Sequence, residues 1–93
     1  MSYNLLQSSR FTRQLKRVLK NNPELKRAVL LVLQTLAEDP YHPRLKTHKL
    51  KGDLKRLWAC SAAYDLRVLF EFVEHEGEKA ILLETIGTYD EVY

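Results

Sequence analysis

His48 stands in the middle of residues 44–56, RLKTHKLKGDLKR, where six of thirteen side chains are Lys or Arg and Asp53 is the single acid. An imidazole is the side chain that most readily gives and takes protons near neutral pH. Set among fixed cations, it suits proton transfer on a phosphate backbone. RNA can be cut without a metal when its own 2′-OH attacks the adjacent phosphorus. That reaction needs a base for the hydroxyl proton, an acid for the leaving 5′-oxygen and cations for the crowded charge. His48 is the natural proton-transfer residue. Lys46, Lys49, Lys51 and Lys55 are the expected phosphate contacts.

Arg67 lies inside LRVLFEFV, the most apolar run of the chain. An unpaired guanidinium is costly to bury, so it must reach solvent, Asp65, Glu71 or a cleft. In a cleft it would form a two-pronged fork on phosphate. Asp65 could orient His48 or simply open the turn before this strand. Tyr93, and less directly Tyr89, could stack on an unpaired base or join the proton chemistry. His42 and His75 have no partners at ligand spacing, so neither a metal site nor a cofactor is expected.

The elements that must position these groups follow from periodicity. Residues 3–6 form a short apolar run suited to a first strand. Ser8 or Ser9 can cap a helix in which Phe11, Leu15, Val18 and Leu19 make one apolar face, ending near Asn21. Asn22-Pro23-Glu24 restarts a helix whose stripe is Leu25, Val29, Val32, Leu33 and Leu36, and Asp39-Pro40 stops it. Two helices so joined form an antiparallel hairpin. Tyr41-His42-Pro43 reads as a connector. Alternation over residues 45–51 then suggests a strand, closed by a Gly52-Asp53 turn. Residues 57–60 form a second apolar run, with Trp58 and Cys60 expected in the core, and residues 62–65 turn. Residues 66–73 are the clearest strand; 74–78 make a polar hairpin loop; 79–86 form the last strand, closed by Gly87. The fold class is therefore α+β: an N-terminal strand, the helical hairpin, then a three- to four-stranded antiparallel sheet with the helices on one face.

Composition bounds the rest. Ninety-three residues, 45% apolar and 29% charged, suit a single domain over 1–93. The one cysteine forbids an internal disulfide and fits a reducing compartment. No apolar run approaches the roughly 20 residues of a membrane span, and no signal-peptide block opens the chain, so the expected location is cytoplasmic. The net charge of +3 hides a lopsided distribution. Residues 10–27 carry seven Lys or Arg against Glu24, whereas residues 71–93 carry seven acids against Lys79. Such a split points to a basic face for a polyanion or an acidic partner.

That order of elements, with HKLKG at 48–52, YDLRVLFEF at 64–72 and IGTYDEVY at 86–93, resembles the RelE/ParE toxin superfamily, closest to its YafQ-like branch. The resemblance spans essentially the whole chain. It implies the RelE-like microbial RNase fold, a toxin of a type II toxin–antitoxin pair, a cognate antitoxin as partner, and mRNA on the ribosome as target. On the YafQ-like pattern, His48 matches the first histidine, Asp65 the aspartate and Tyr93 the C-terminal aromatic. Ser61 stands where that branch has its second histidine, and Tyr89 where it has its third. On the RelE-like pattern, Arg67 matches the strand arginine and Tyr93 the C-terminal tyrosine, while the second catalytic arginine has no counterpart in residues 87–93. ParE-like members instead inhibit DNA gyrase. The alternatives to an endoribonuclease are therefore a gyrase-binding inhibitor and a degenerate member that only binds an antitoxin.

Overall fold

The computed structural model describes residues 2–93. Eight main elements follow in order: β1 (Asn4–Gln7), α1 (Ser9–Asn21), α2 (Lys26–Glu38), β2 (His48–Lys49), β3 (Trp58–Ala63), β4 (Leu66–His75), β5 (Glu78–Thr88) and α3 (Tyr89–Val92). The strands form one sheet in the order β1-β5-β4-β3-β2. β2 to β5 are antiparallel neighbours, while β1 lies parallel to β5 at the far edge. The expected α+β architecture is present, with the N-terminal strand and the antiparallel strands merged into a single mixed sheet.

Local chemistry sets the helix starts. The Ser8 Oγ accepts from the Phe11 N–H at 3.0 Å, capping α1, and donates to the Glu84 carbonyl at 2.9 Å. One hydroxyl thus caps the helix and ties it to β5. Glu84 is the extra residue of a bulge, because Leu69 pairs with Thr85 while Phe70 pairs with Leu83. Pro23 opens a short 3-10 turn, Pro23–Leu25, that leads into α2. Phe11 and Val18 from α1 and Val29 and Leu36 from α2 are buried against Cys60, Val68, Phe70, Ile81, Leu83 and Ile86. Cys60 lies in this core as expected, and Trp58 packs at its margin.

Alternation sends the neighbours of these residues to the opposite face of the sheet. There Leu57, Ala59 and Leu69 form a second, smaller cluster, covered by Leu50, Leu54 and Val92. This sparsely covered face holds the candidate site.

The strand expected over residues 45–51 shrinks to His48 and Lys49. Pro43–Leu45 is a 3-10 turn capped by the His42 Nδ1, which accepts from the Arg44 N–H at 3.1 Å. Lys46 is left-handed at φ 52°, and Gly52–Leu54 forms another 3-10 turn. Lys residues interleaved with leucines imitate a strand, but Leu45 enters the main core while Leu50 covers the smaller one. The stretch is therefore wound around the sheet edge. The turn expected at 62–65 narrows to Tyr64-Asp65, because β3 continues to Ala63 through a bulge. The polar loop at 74–78 tightens to Glu76-Gly77, both left-handed. α3 was not anticipated.

Candidate functional site

Ser61 on β3 pairs directly with Arg67 on β4, and Arg67 in turn with Gly87 on β5. Cross-strand partners share a face, so these residues form one row across the sparsely covered side. Two residues along β3, Ala59 pairs with His48. His48 therefore shares the face of Arg67. Two strand spacings across and two residues along the ladder separate their Cα atoms by about 12 Å. Lys49, next in the strand, points to the other face.

The Arg67 guanidinium is half-buried and has no carboxylate within ion-pair distance among the described residues. Its Nη1 instead lies 3.4 Å from the Ser61 Oγ, 3.4 Å from the Ala63 carbonyl and 3.3 Å from the Leu66 carbonyl. The bulge at Ala62-Ala63 turns that carbonyl towards it. These are long, neutral contacts that orient the charge without neutralising it. Arg67 lines an open groove of about 760 Å³ with Lys46, Ser61, Ala63, Tyr64 and Asp65.

The exposed His48 has its Nδ1 3.0 Å from the Lys46 carbonyl. When Nδ1 carries the proton and donates there, Nε2 is left as the free acceptor. Asp65 is not part of that arrangement. It is left-handed at φ 58°, and its Oδ1 accepts from the Tyr89 N–H at 3.4 Å. Asp65 therefore secures the start of α3 instead of orienting His48.

α3 begins at Tyr89 and is capped by Tyr93, whose N–H donates to the Tyr89 carbonyl at 3.1 Å. Thr88 and Glu91 form a reciprocal capping box: the Thr88 N–H donates to the Glu91 Oε1 at 2.8 Å, and the Glu91 N–H donates to the Thr88 Oγ1 at 3.4 Å. The Glu91 Oε2 accepts from the Arg17 Nη2 on α1 at 2.8 Å. The bond from the Thr88 N–H does most to hold the Glu91 carboxyl below its ordinary value, with Arg17 adding to it. The Tyr89 and Tyr93 rings pack at 4.6 Å between centroids. Partial burial pushes the Tyr93 phenol upward, while the nearby Arg67 charge pulls back against it. Tyr93 is thus a protonated phenol at neutral pH, beside Arg67.

Matched residue for residue against solved structures, the chain is 30% identical to a metal-bound toxin from Helicobacter pylori, covering 100% of both chains at a TM-score of 0.77. The chain belongs to the RelE/ParE toxin superfamily of type II toxin–antitoxin systems. Its fold is that of the YafQ-like branch. YafQ from E. coli matches at a TM-score of 0.81 over 98% of each chain with 16% identity. YafQ in the E. coli DinJ–YafQ toxin–antitoxin complex matches at 0.79 over 100% of this chain and 99% of that one, with 15% identity. No protein-family profile matches the sequence, and no curated protein matches it significantly.

Within this RelE/ParE fold, Lys46, Ser61, Asp65 and Arg67 line one groove, Tyr93 feels the Arg67 charge and packs on Tyr89, and His48 stands farther along the same sheet face. Lys51 and Lys55 flank the 3-10 turn beside β2 and are exposed, and Lys49 faces away. No cluster of three or more His, Cys, Asp or Glu placed for a metal occurs among the described residues. Sequence reasoning passed over Tyr64, Gly87 and the Arg17–Glu91 pair. The pattern Thr88-x-x-Glu91 was a legible signal for α3, being the capping-box spacing.

Proposed function

We propose that the chain is a toxin that cleaves mRNA on the ribosome, acting in the cytoplasm as a metal-independent endoribonuclease. The observation that carries this reading is Arg67: a half-buried guanidinium without a carboxylate partner, aimed into an open groove beside Lys46. A phosphodiester is the anion that such a fork fits. His48 takes the proton from the 2′-OH, the O2′–P bond forms and the P–O5′ bond breaks. The Tyr93 phenol gives its proton to the departing 5′-oxygen, leaving a 2′,3′-cyclic phosphate and a 5′-hydroxyl. Arg67 and Lys46 hold the non-bridging oxygens as charge builds on them.

The same chain offers a surface for a protein antitoxin. β2 covers only Trp58 and Ala59 of β3, so the edge beyond them is open. It borders a groove of about 250 Å³ with Leu31, Val32 and Thr35 of α2. The exposed cations of α1 and α2 suit an acidic segment folding across them.

Primer extension on a translated mRNA after induction tests the reading. Discrete new 5′ ends are expected, and they disappear in His48→Ala and Arg67→Ala. Intact transcripts during growth arrest would refute it. Ser61, at a family histidine position and opposite Arg67, removes one proton-transfer group from the groove and favours a binding-only gyrase inhibitor as the second reading. A supercoiling assay at micromolar protein separates the two.

A further inference from the structure

Tyr64 is the one aromatic side chain among the described residues that packs against nothing. Phe11 and Phe70 are buried, Tyr3, Tyr41, Trp58 and Phe72 form a connected cluster, and Tyr89 pairs with Tyr93. Tyr64 is fully exposed, at 101% of its reference area. A ring left wholly in water contributes nothing to folding, so its whole face is available to a ligand.

Its backbone is nevertheless fixed. Tyr64 is the first residue of a two-residue turn closed by the Ala63–Leu66 pair, and the second residue, Asp65, is held by the Tyr89 N–H. The turn sits on a shared lip. On one side is the groove of Arg67 and Lys46. On the other is a smaller groove of about 230 Å³ that reaches Arg17 and Asn21 on α1 and Asn22 just after it. A strand leaving the Arg67 groove in that direction passes Tyr64, which lines both grooves. Of the acids along the path, Glu91 is paired with Arg17, while Asp65 is turned to the Tyr89 N–H and keeps its charge.

The geometry points to Tyr64 as a base-stacking platform for single-stranded RNA, taking the nucleobase next to the phosphate held by Arg67. This rests on the RNA-cleavage reading and adds a contact that the proton chemistry does not require. Stacking is indifferent to sequence and leaves the phosphate contacts alone, so it has its own signature.

The test uses the full chain and a 2′-O-methylated single-stranded oligoribonucleotide of mixed sequence, which cannot be cut. Tyr64→Ala is expected to weaken binding about 5- to 150-fold with an unchanged salt slope, and Tyr64→Phe to restore it. Arg67→Ala is expected to lower the salt slope by about one. In Tyr64→Trp, added emission relative to the parent should be quenched by the oligonucleotide but not by its abasic counterpart. If Tyr64→Ala binds like the parent while Arg67→Ala does not, the platform is refuted and the RNA reading stands. If the parent itself does not bind the oligonucleotide, the platform is refuted, while the ribosome-dependent reading still stands or falls by primer extension on translated mRNA.

Discussion

The Arg17 guanidinium on the first helix meets the Glu91 carboxylate on the last at 2.8 Å, joining residues 74 positions apart. Both side chains are about half exposed, so solvent and salt screen the pair, and its net worth to stability is about 0–1 kcal/mol. Its consequence is positional: it fixes α3, which begins at Tyr89 and is capped by Tyr93, a phenol within reach of the Arg67 charge.

Glu91→Gln should therefore separate stability from activity. The amide still accepts from the Thr88 N–H but loses the charge that Arg17 attracts. The melting temperature is expected to fall by no more than a few degrees, while cleavage of translated mRNA slows several-fold. The carboxyl is held low in the folded state, so the attachment is intact at neutral pH. It is lost as pH falls through that lowered value, below the ordinary carboxylate range. Because the carboxyl stays ionised at pH 5, acidification from pH 7 to pH 5 should lower the activity of the parent and of Glu91→Gln in the same proportion, and a loss confined to the parent over that range would contradict the lowered value.

Gly87 is required by space, not by backbone conformation. A Cβ there would lie 3.0 Å from the Glu91 Oε1, 3.2 Å from the Glu91 Cβ and 3.3 Å from the Val92 Cγ1. The carboxylate can swing aside, but the two carbons belong to a helix turn packed on the strand. Gly87→Ala should either lift α3 or cost about 1–3 kcal/mol of overpacking. Thermal denaturation and Tyr93 ring signals by NMR check this. Unchanged values in both would show that α3 yields without cost.

Cys60 supplies a pH dependence whose sign is fixed. The thiol is fully buried, and burial pushes it from 9.0 up to about 12, against a smaller opposing pull from Arg67. Above pH 9 the unfolded chain releases this proton and the folded chain keeps it, so stability falls as pH rises from about 9 to about 12. The stability advantage of the parent over Cys60→Ala should shrink across that window by up to about 1.4 kcal/mol per pH unit. Parallel stability curves from urea titrations at pH 8, 9 and 10 would refute it.

The elements that could be read from sequence are those whose pattern has one explanation. β4 and β5 are apolar runs bounded by turn residues, and α1 has both a period and a Ser8 cap. Residues 44–56 misled because alternating Lys and Leu serve two different clusters, one on each side of a sheet edge, and not the two faces of a strand. Asp65 was legible as a turn residue, yet its hydrogen bond goes to Tyr89, which no spacing rule connects to it. Tyr64 left no signal at all, since an exposed aromatic in a turn looks the same whatever lies beside it.

Arg67 invites the most discriminating substitution. Arg67→Lys keeps the positive charge but replaces a planar fork by a point charge. Three neutral oxygens, on Ser61, Ala63 and Leu66, now orient the guanidinium through a single nitrogen. An ammonium on a shorter reach can satisfy those oxygens or the phosphate, but not both in the same geometry. RNA binding should therefore weaken only a few-fold, with its salt slope preserved because the charge count is unchanged. Cleavage should fall about 10²- to 10³-fold, the scale seen when one donor aimed at developing charge is lost. If the two fall together, Arg67 contributes attraction alone. If cleavage falls much further than binding, the fork acts where charge builds in the transition state.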